Sequence, residues 1–188
     1  HFPKDILEAL REPLEDYSIL ISRVNSKIHY ETKFLFAAAQ NPCPCGNLLS
    51  SSKTCRCSDV EIKRYKNKIS EPLLDRIDMF VVMNETHIED KNDVTSEVLH
   101  DKVLETFKMQ INRGQKNLNG KLNDEEIKKF CLLDDESNDV LNQAIVNFSL
   151  SYRAINKILK LSRTIADLHN SVNIQKKHLL QALQYRKR

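Results

Sequence analysis

This sequence predicts a mostly helical α/β chain, with an incomplete α/β unit first and an all-helical unit after it. Two observations carry that class. β-type residues cluster at positions 18–22, 33–39 and 79–83, and no comparable signal returns later in the 188 residues. From about Asn84 onward, apolar residues instead recur at helical spacing through five successive segments.

The elements follow in order. Residues 3–15 read as a helix, with Pro3 in its first turn and Ile6, Leu7, Leu10 and Leu14 on one face. Pro13 is expected to end or kink it, because proline has no N–H and its ring crowds the preceding turn. The runs 18–22 and 33–39 read as strands, the second almost wholly apolar and therefore central, joined across the polar stretch 23–32. Residues 41–58, NPCPCGNLLSSSKTCRCS, carry too much Pro, Ser, Asn and Cys for regular structure. A short helix over 60–67 and an apolar strand over 79–83 complete the first unit, residues 1–84 with the cysteine loop at 41–58. Helices over 95–112, 124–132, 137–148, 152–169 and 174–185 make up the second, residues 85–188. Ile155, Ile158, Leu159, Ser162 and Ile165 show the helical spacing well.

Charge is uneven although the net is only +3. Residues 150–188 hold nine Lys/Arg against one acid, whereas 85–139 hold eight against fourteen. The basic block could meet nucleic acid, nucleotide phosphates or an acidic neighbour, or be a solvated helical face. No stretch approaches the apolar length of a membrane span and the first residues are no signal peptide, so the chain reads as cytoplasmic. It opens at His1, directly in a helical pattern, and reads as part of a longer protein.

Four of the five cysteines lie within fifteen residues: Cys43, Cys45, Cys55 and Cys57, a C-x-C-x9-C-x-C spacing. Four thiolates satisfy a closed tetrahedral zinc site, and zinc would order a loop with little apolar surface to bury. Reduced unliganded thiols, or a disulfide formed on handling, are the other readings of the same residues. Cys131 sits in an apolar helical position and reads as core.

The stretches AAAQNPCPCG, CRC and RYKNKISEPLLDRID resemble the magnesium-chelatase-like, competence-associated ATPases of the AAA+ class. FPKDILEALREPLED is similar to the helix after that family's acidic nucleotide-site strand, and LSYRAINKILKLSRTIADL with HLLQALQYR to its C-terminal lid. The resemblance therefore covers essentially the whole chain, as an incomplete AAA+ core followed by a lid. It departs from the family at Glu71, where glycine is usual, and at Gln40, where an apolar residue is common.

The resemblance implies roles. Asn41 matches the sensor-1 position, where an amide meets the attacking water or γ-phosphate; as a residue it is equally a turn former before Pro42. Arg76 matches the arginine finger that reaches a neighbouring subunit's γ-phosphate; an internal ion pair with Asp75 or Asp78 is the other fate open to it. Arg153 matches sensor 2, touching nucleotide bound by its own subunit. Lys157 and Lys160 follow it as a solvated stripe, and Arg163 is expected to pack or pair internally. Arg23 and Lys27 lie where such motors place a pore-facing hairpin.

No G-x-x-x-x-G-K-S/T occurs, and the three glycines, at 46, 114 and 120, are scattered. The chain alone is thus expected neither to bind ATP tightly nor to hydrolyse it, with the phosphate loop and the magnesium-positioning acids lying before residue 1. The implied parent is a ring, expected to be a hexamer, using ATP and Mg2+ to move on DNA in recombination and DNA uptake. A magnesium-chelatase subunit is the second reading, against which the cysteine loop argues. A zinc-bearing DNA-binding or adaptor module without enzymatic activity is the third.

Overall fold

The computed structural model describes residues 2–85 and 94–186. Most of the expected unit boundary, over 84–95, and the last two residues of the basic block therefore lie outside the described residues. Two compact units divide the chain: His1–Ile77 with Val82–Ile88, and Asp78–Val81 with Glu89–Arg188.

The first unit opens with two helices where one is expected, α1 (Lys4–Ala9) and α2 (Arg11–Glu15). The break comes at Leu10, before Pro13 rather than at it. A proline at 13 cannot bond back to the carbonyl of residue 9 and would clash with it, so the ladder is interrupted one turn upstream. The Leu10 N–H turns to the Leu7 carbonyl instead. Pro13 itself is buried inside α2.

β1 (Ser18–Arg23) and β2 (Ser26–Glu31) form an antiparallel hairpin, in register from Ser18 opposite Glu31 to Arg23 opposite Ser26. The second strand is thus the polar stretch that reads as a connection. Every residue of β2 is exposed, so no face had to be apolar. The apolar run 33–39 is not a strand, and neither is 79–83. Among the described residues the only sheet is that of β1 and β2, and a strand needs a partner for its ladder. Leu35 is 93% exposed and most of the run is exposed with it, rather than central.

α3 (Asp59–Lys66) starts at a full capping box: Ser58 accepts from the Glu61 N–H, and Glu61 accepts from Ser58. α4 (Glu71–Leu74) is capped by Ser70, with Pro72 in its first turn. Glu71 is the first residue of that helix, so no glycine conformation is required there, and an acid suits the positive helix end.

The second unit holds α5 (Ser96–Asn112), α6 (Asp124–Phe130), α7 (Asp135–Phe148), α8 (Tyr152–Leu168) and α9 (Lys176–Gln184), each within about three residues of its expected bounds. Side chains cap four of the five: Thr95, Asn123, Asp134 and Ser151 each accept from a first-turn N–H. α8 is the organising element. Its Ile158 and Ile165 pack with Leu141 and Ala144 of α7 and with Leu179, Ala182 and Leu183 of α9. A second cluster joins Ala166 of α8 to Leu122, Ile127, Cys131 and Ile174, which places Cys131 in the core as expected. Burial pushes its thiol up to about 11.

Arg163 is buried with a partner, also as expected. Its Nε donates to Asp167 at 3.1 Å, and its two Nη groups donate to the Val172 and Ser171 carbonyls at 2.9 and 2.7 Å. Asp167 further accepts from Arg113 and from Asn119 at 2.8 Å.

Candidate functional site

The loop 41–58 brings its four thiols together. The Sγ atoms of Cys43, Cys45 and Cys55 lie 3.4, 3.7 and 3.6 Å apart pairwise, and all four Sγ atoms fall within 4.8 Å of one another. These distances exceed a disulfide bond of about 2.05 Å, so none of the pairs is oxidised. A tetrahedron with zinc–sulfur bonds of about 2.3 Å has sulfur–sulfur edges of about 3.8 Å. The donor set thus fits a tetrahedral zinc in number, element and spacing.

Local sequence explains the arrangement. Pro44 and Gly46 close a tight turn in which the Gly46 N–H donates to the Cys43 carbonyl at 3.0 Å, and Gly46 has φ +81°. The Arg56 backbone N–H first, then that of Asn47 and the Cys43 thiol, lower Cys45 to about 6. Cys57 is pushed up to about 12: a backbone bond to Cys45 pulls it down, but desolvation and the neighbouring thiols outweigh that. Glu85 braces the loop from outside, accepting from the Ser51 N–H at 3.2 Å and its hydroxyl at 2.8 Å. Hydrogen bonds from Ser50 and Ser51 lower the Glu85 carboxyl to about 2.

Asn41 stands at the foot of this turn, exposed, with its amide beside Gly46. The residue before it is the end of extended chain, not of a paired strand.

Arg76 follows α4 and is turned inward. Its Nε donates to the Arg11 carbonyl at 3.1 Å, its Nη1 to the Pro72 carbonyl at 2.6 Å, and its Nη2 to the Glu15 carboxylate. The side chain is 13% exposed. The carboxylate it meets is 61 residues away in sequence, rather than that of Asp75 or Asp78.

Two basic features lie on the same unit. Arg23 and Lys27 flank the hairpin tip, where Val24 is fully exposed. Lys4, Lys63, Arg64 and Lys68, with Val60 and Asn67, line an open cleft of about 520 Å³ without a carboxylate. In the second unit, Arg153 is exposed in the first turn of α8, while Lys157 and Lys160 are half-buried rather than a solvated stripe. Desolvation lowers the Lys160 ammonium.

Two family models divide the chain between them. That described as magnesium chelatase, subunit ChlI, matches residues 1–91, and that of the ChlI C-terminal region matches 93–186. Competence protein ComM of Haemophilus influenzae is 39% identical over 190 residues, covering 98% of this chain. The chain belongs to the magnesium-chelatase-like, competence-associated family. The YifB protein of Escherichia coli K12 is a further relative, 34% identical over 193 residues and again covering 98% of the chain. Protein Rv2897c of Mycobacterium tuberculosis matches over a shorter span, 42% identical over 78 residues. This magnesium-chelatase-like chain spans 37% of the length of ComM and of YifB.

Within the family frame, Asn41, the four cysteines and Arg76 fall in the first matched region, and Arg153 in the second. Sequence reading missed two things. Glu15 gives no local sign of pairing with Arg76, since nothing in the spacing joins α2 to α4. The cleft joins Lys4 to Lys63, Arg64 and Lys68, none of which the sequence reading singled out. No helix among the described residues is long and apolar enough to cross a membrane.

Proposed function

We propose that this chain is the C-terminal part of a ring-forming AAA+ motor ATPase that acts on DNA. The first unit is the end of the α/β core and the second is the helical lid, with the boundary in sequence near residues 84–95. The likeness to competence protein ComM over 98% of the chain carries this reading. On it, Asn41 serves as sensor 1, Arg76 as the finger offered to a neighbouring subunit, and Arg153 as sensor 2.

The chemistry asked of these residues is electrostatic. A planar cation beside a transferring phosphoryl group stabilises developing charge, an effect on the order of 10³–10⁵ in rate in other phosphoryl-transfer systems. An amide at Asn41 can orient water without adding charge. ATP and Mg2+ belong to the parent protein, where they supply the phosphoryl group and neutralise its oxygens. Zinc on Cys43, Cys45, Cys55 and Cys57 is structural: all four positions are filled by thiolates and none remains for substrate. The exposed hairpin tip with Arg23 and Lys27, and the cleft of Lys4, Lys63, Arg64 and Lys68, supply cations for the DNA backbone.

The test is ATP turnover by the full-length protein with and without single- and double-stranded DNA. Stimulation by DNA, weakened by Lys63→Glu with Arg64→Glu, is the expected result; turnover indifferent to DNA would count against a DNA motor. One zinc per chain, released on thiol modification and absent from Cys43→Ser, is expected alongside it.

The family-model descriptions favour a second reading, a magnesium-chelatase ATPase subunit. Metal insertion into a porphyrin with partner subunits would establish it in place of the first.

A further inference from the structure

We propose that Glu15 is a positioning residue that holds the Arg76 guanidinium in reserve within one subunit, until nucleotide on an adjacent copy draws it away. The inference rests on reading Arg76 as the finger offered in trans.

Three features of the geometry point to a held group. Nε, Nη1 and Nη2 of Arg76 each have an acceptor: the Arg11 carbonyl, the Pro72 carbonyl and the Glu15 carboxylate. With three of its five N–H donors engaged by acceptors of its own chain, the guanidinium is drawn back onto that chain rather than extended from it. Next, the acceptors come from two elements. Arg11 and Glu15 are the first and last residues of α2, and Pro72 lies in α4, one turn before Arg76 itself. Pro72 and Arg11 offer only uncharged backbone carbonyls. Glu15 supplies the only charge of the three acceptors, so it decides how firmly the group is held.

Finally, the hold is of exchangeable strength. The Arg76 side chain is 13% exposed and that of Glu15 34%, so the pair is neither sealed in the core nor loose on the surface. Water can solvate Glu15 when Arg76 leaves, which a fully buried carboxylate would not allow. A phosphate presents more charge than a carboxylate and accepts the guanidinium fork in the same bidentate manner. Nucleotide held by a second copy of the chain therefore competes for Arg76 on favourable terms. Without that neighbour, the Glu15 carboxylate keeps the cation from pairing elsewhere. Assembly and release of the finger become linked, each favouring the other.

The experiment measures ATP turnover per subunit against subunit concentration, at saturating ATP, for the full-length protein and two variants. Glu15→Gln keeps the shape but removes the charge, so the concentration at half-maximal turnover is expected to fall about fivefold, the low end of typical coupling between sites. Arg76→Ala is expected to lose turnover at every concentration. If Arg76→Ala keeps its turnover, the finger reading itself fails. If Arg76→Ala is inactive while Glu15→Gln has the parent midpoint or a higher one, the finger stands and the role of Glu15 is overturned. A purely structural Glu15 would lower thermal stability without moving the midpoint downward. Should Glu15→Gln lose its cooperative unfolding transition, Glu15→Asp, which draws the carboxylate back by one methylene, replaces it with the same criterion.

Discussion

Replacing Asp167 with alanine should cost the helical unit far more than breaking any ion pair on its surface. Asp167 is fully buried and accepts from Arg163 Nε at 3.1 Å, from Asn119 at 2.8 Å and from Arg113, with Arg163 Nη2 ion-paired to it at 2.9 Å. The Arg163 side chain is 2% exposed and that of Arg113 20%. Removing the carboxylate leaves one sealed and one mostly sealed guanidinium with no counter-charge, a defect that costs about 3–5 kcal/mol. A domain of about a hundred residues is stable by only about 5–15 kcal/mol, so much of its margin would go. At about 4–8 °C per kcal/mol, the melting midpoint should fall by at least about 12 °C. Urea unfolding followed by far-ultraviolet circular dichroism measures the change. Lys176→Ala is the control: its bridge to Glu136 is 2.8 Å long, but the side chains are 46% and 67% exposed, so solvent screening leaves little to lose and a far smaller change is expected. An Asp167→Ala loss as small as the control's would refute the claim that burial, not distance, sets the value of this network.

Two further outcomes are expected. His178 is fully buried, its Nδ1 accepts from the Gln175 N–H at 3.0 Å, and its Nε2 has no protein partner. Desolvation first, then His169, Lys177 and Arg163, lower its affinity for a proton, so the folded state holds it neutral. The unfolded chain binds that proton near pH 6.5 and the folded chain only at lower pH. Stability from this residue is therefore complete above about pH 6.5 and lost as pH falls through the folded value. His178→Gln should flatten that part of a pH–stability curve, and an unchanged slope would contradict the assignment. Gly46→Ala meets only ordinary contact at Asn41, but its φ of +81° strains any L side chain by about 1–2 kcal/mol. Zinc affinity should drop by roughly 5–30-fold, as read by competition with a chelator; unaltered affinity would show that the turn adjusts freely.

Helices were legible in the sequence from apolar spacing and caps, whether that face is buried, as in α8, or largely exposed, as in α5. Ile158 and Ile165 advertise α8, and α7 and α9 cover them. Strands were legible only where pairing and hydropathy agreed. The run 33–39 is as apolar as a central strand, yet no described strand pairs with it, and β2 is a strand although it is polar enough to pass for a loop. In the candidate site, the cysteine spacing announces the thiol cluster because four ligands within fifteen residues leave few other arrangements. Glu15 could not be found that way. Its pairing with Arg76 depends on how α2 and α4 pack, which local pattern does not encode.

Among the described residues, no third strand extends the hairpin on either rim. Leu20, Ile21, Ile28 and Tyr30 remain 43–53% exposed along it. A ribbon this narrow is barely self-supporting in water, and its open backbone is a template for any extended segment that drifts alongside. Handled by itself at high concentration, the chain should be prone to strand-by-strand stacking, and a soluble preparation would be helped most by charging that rim.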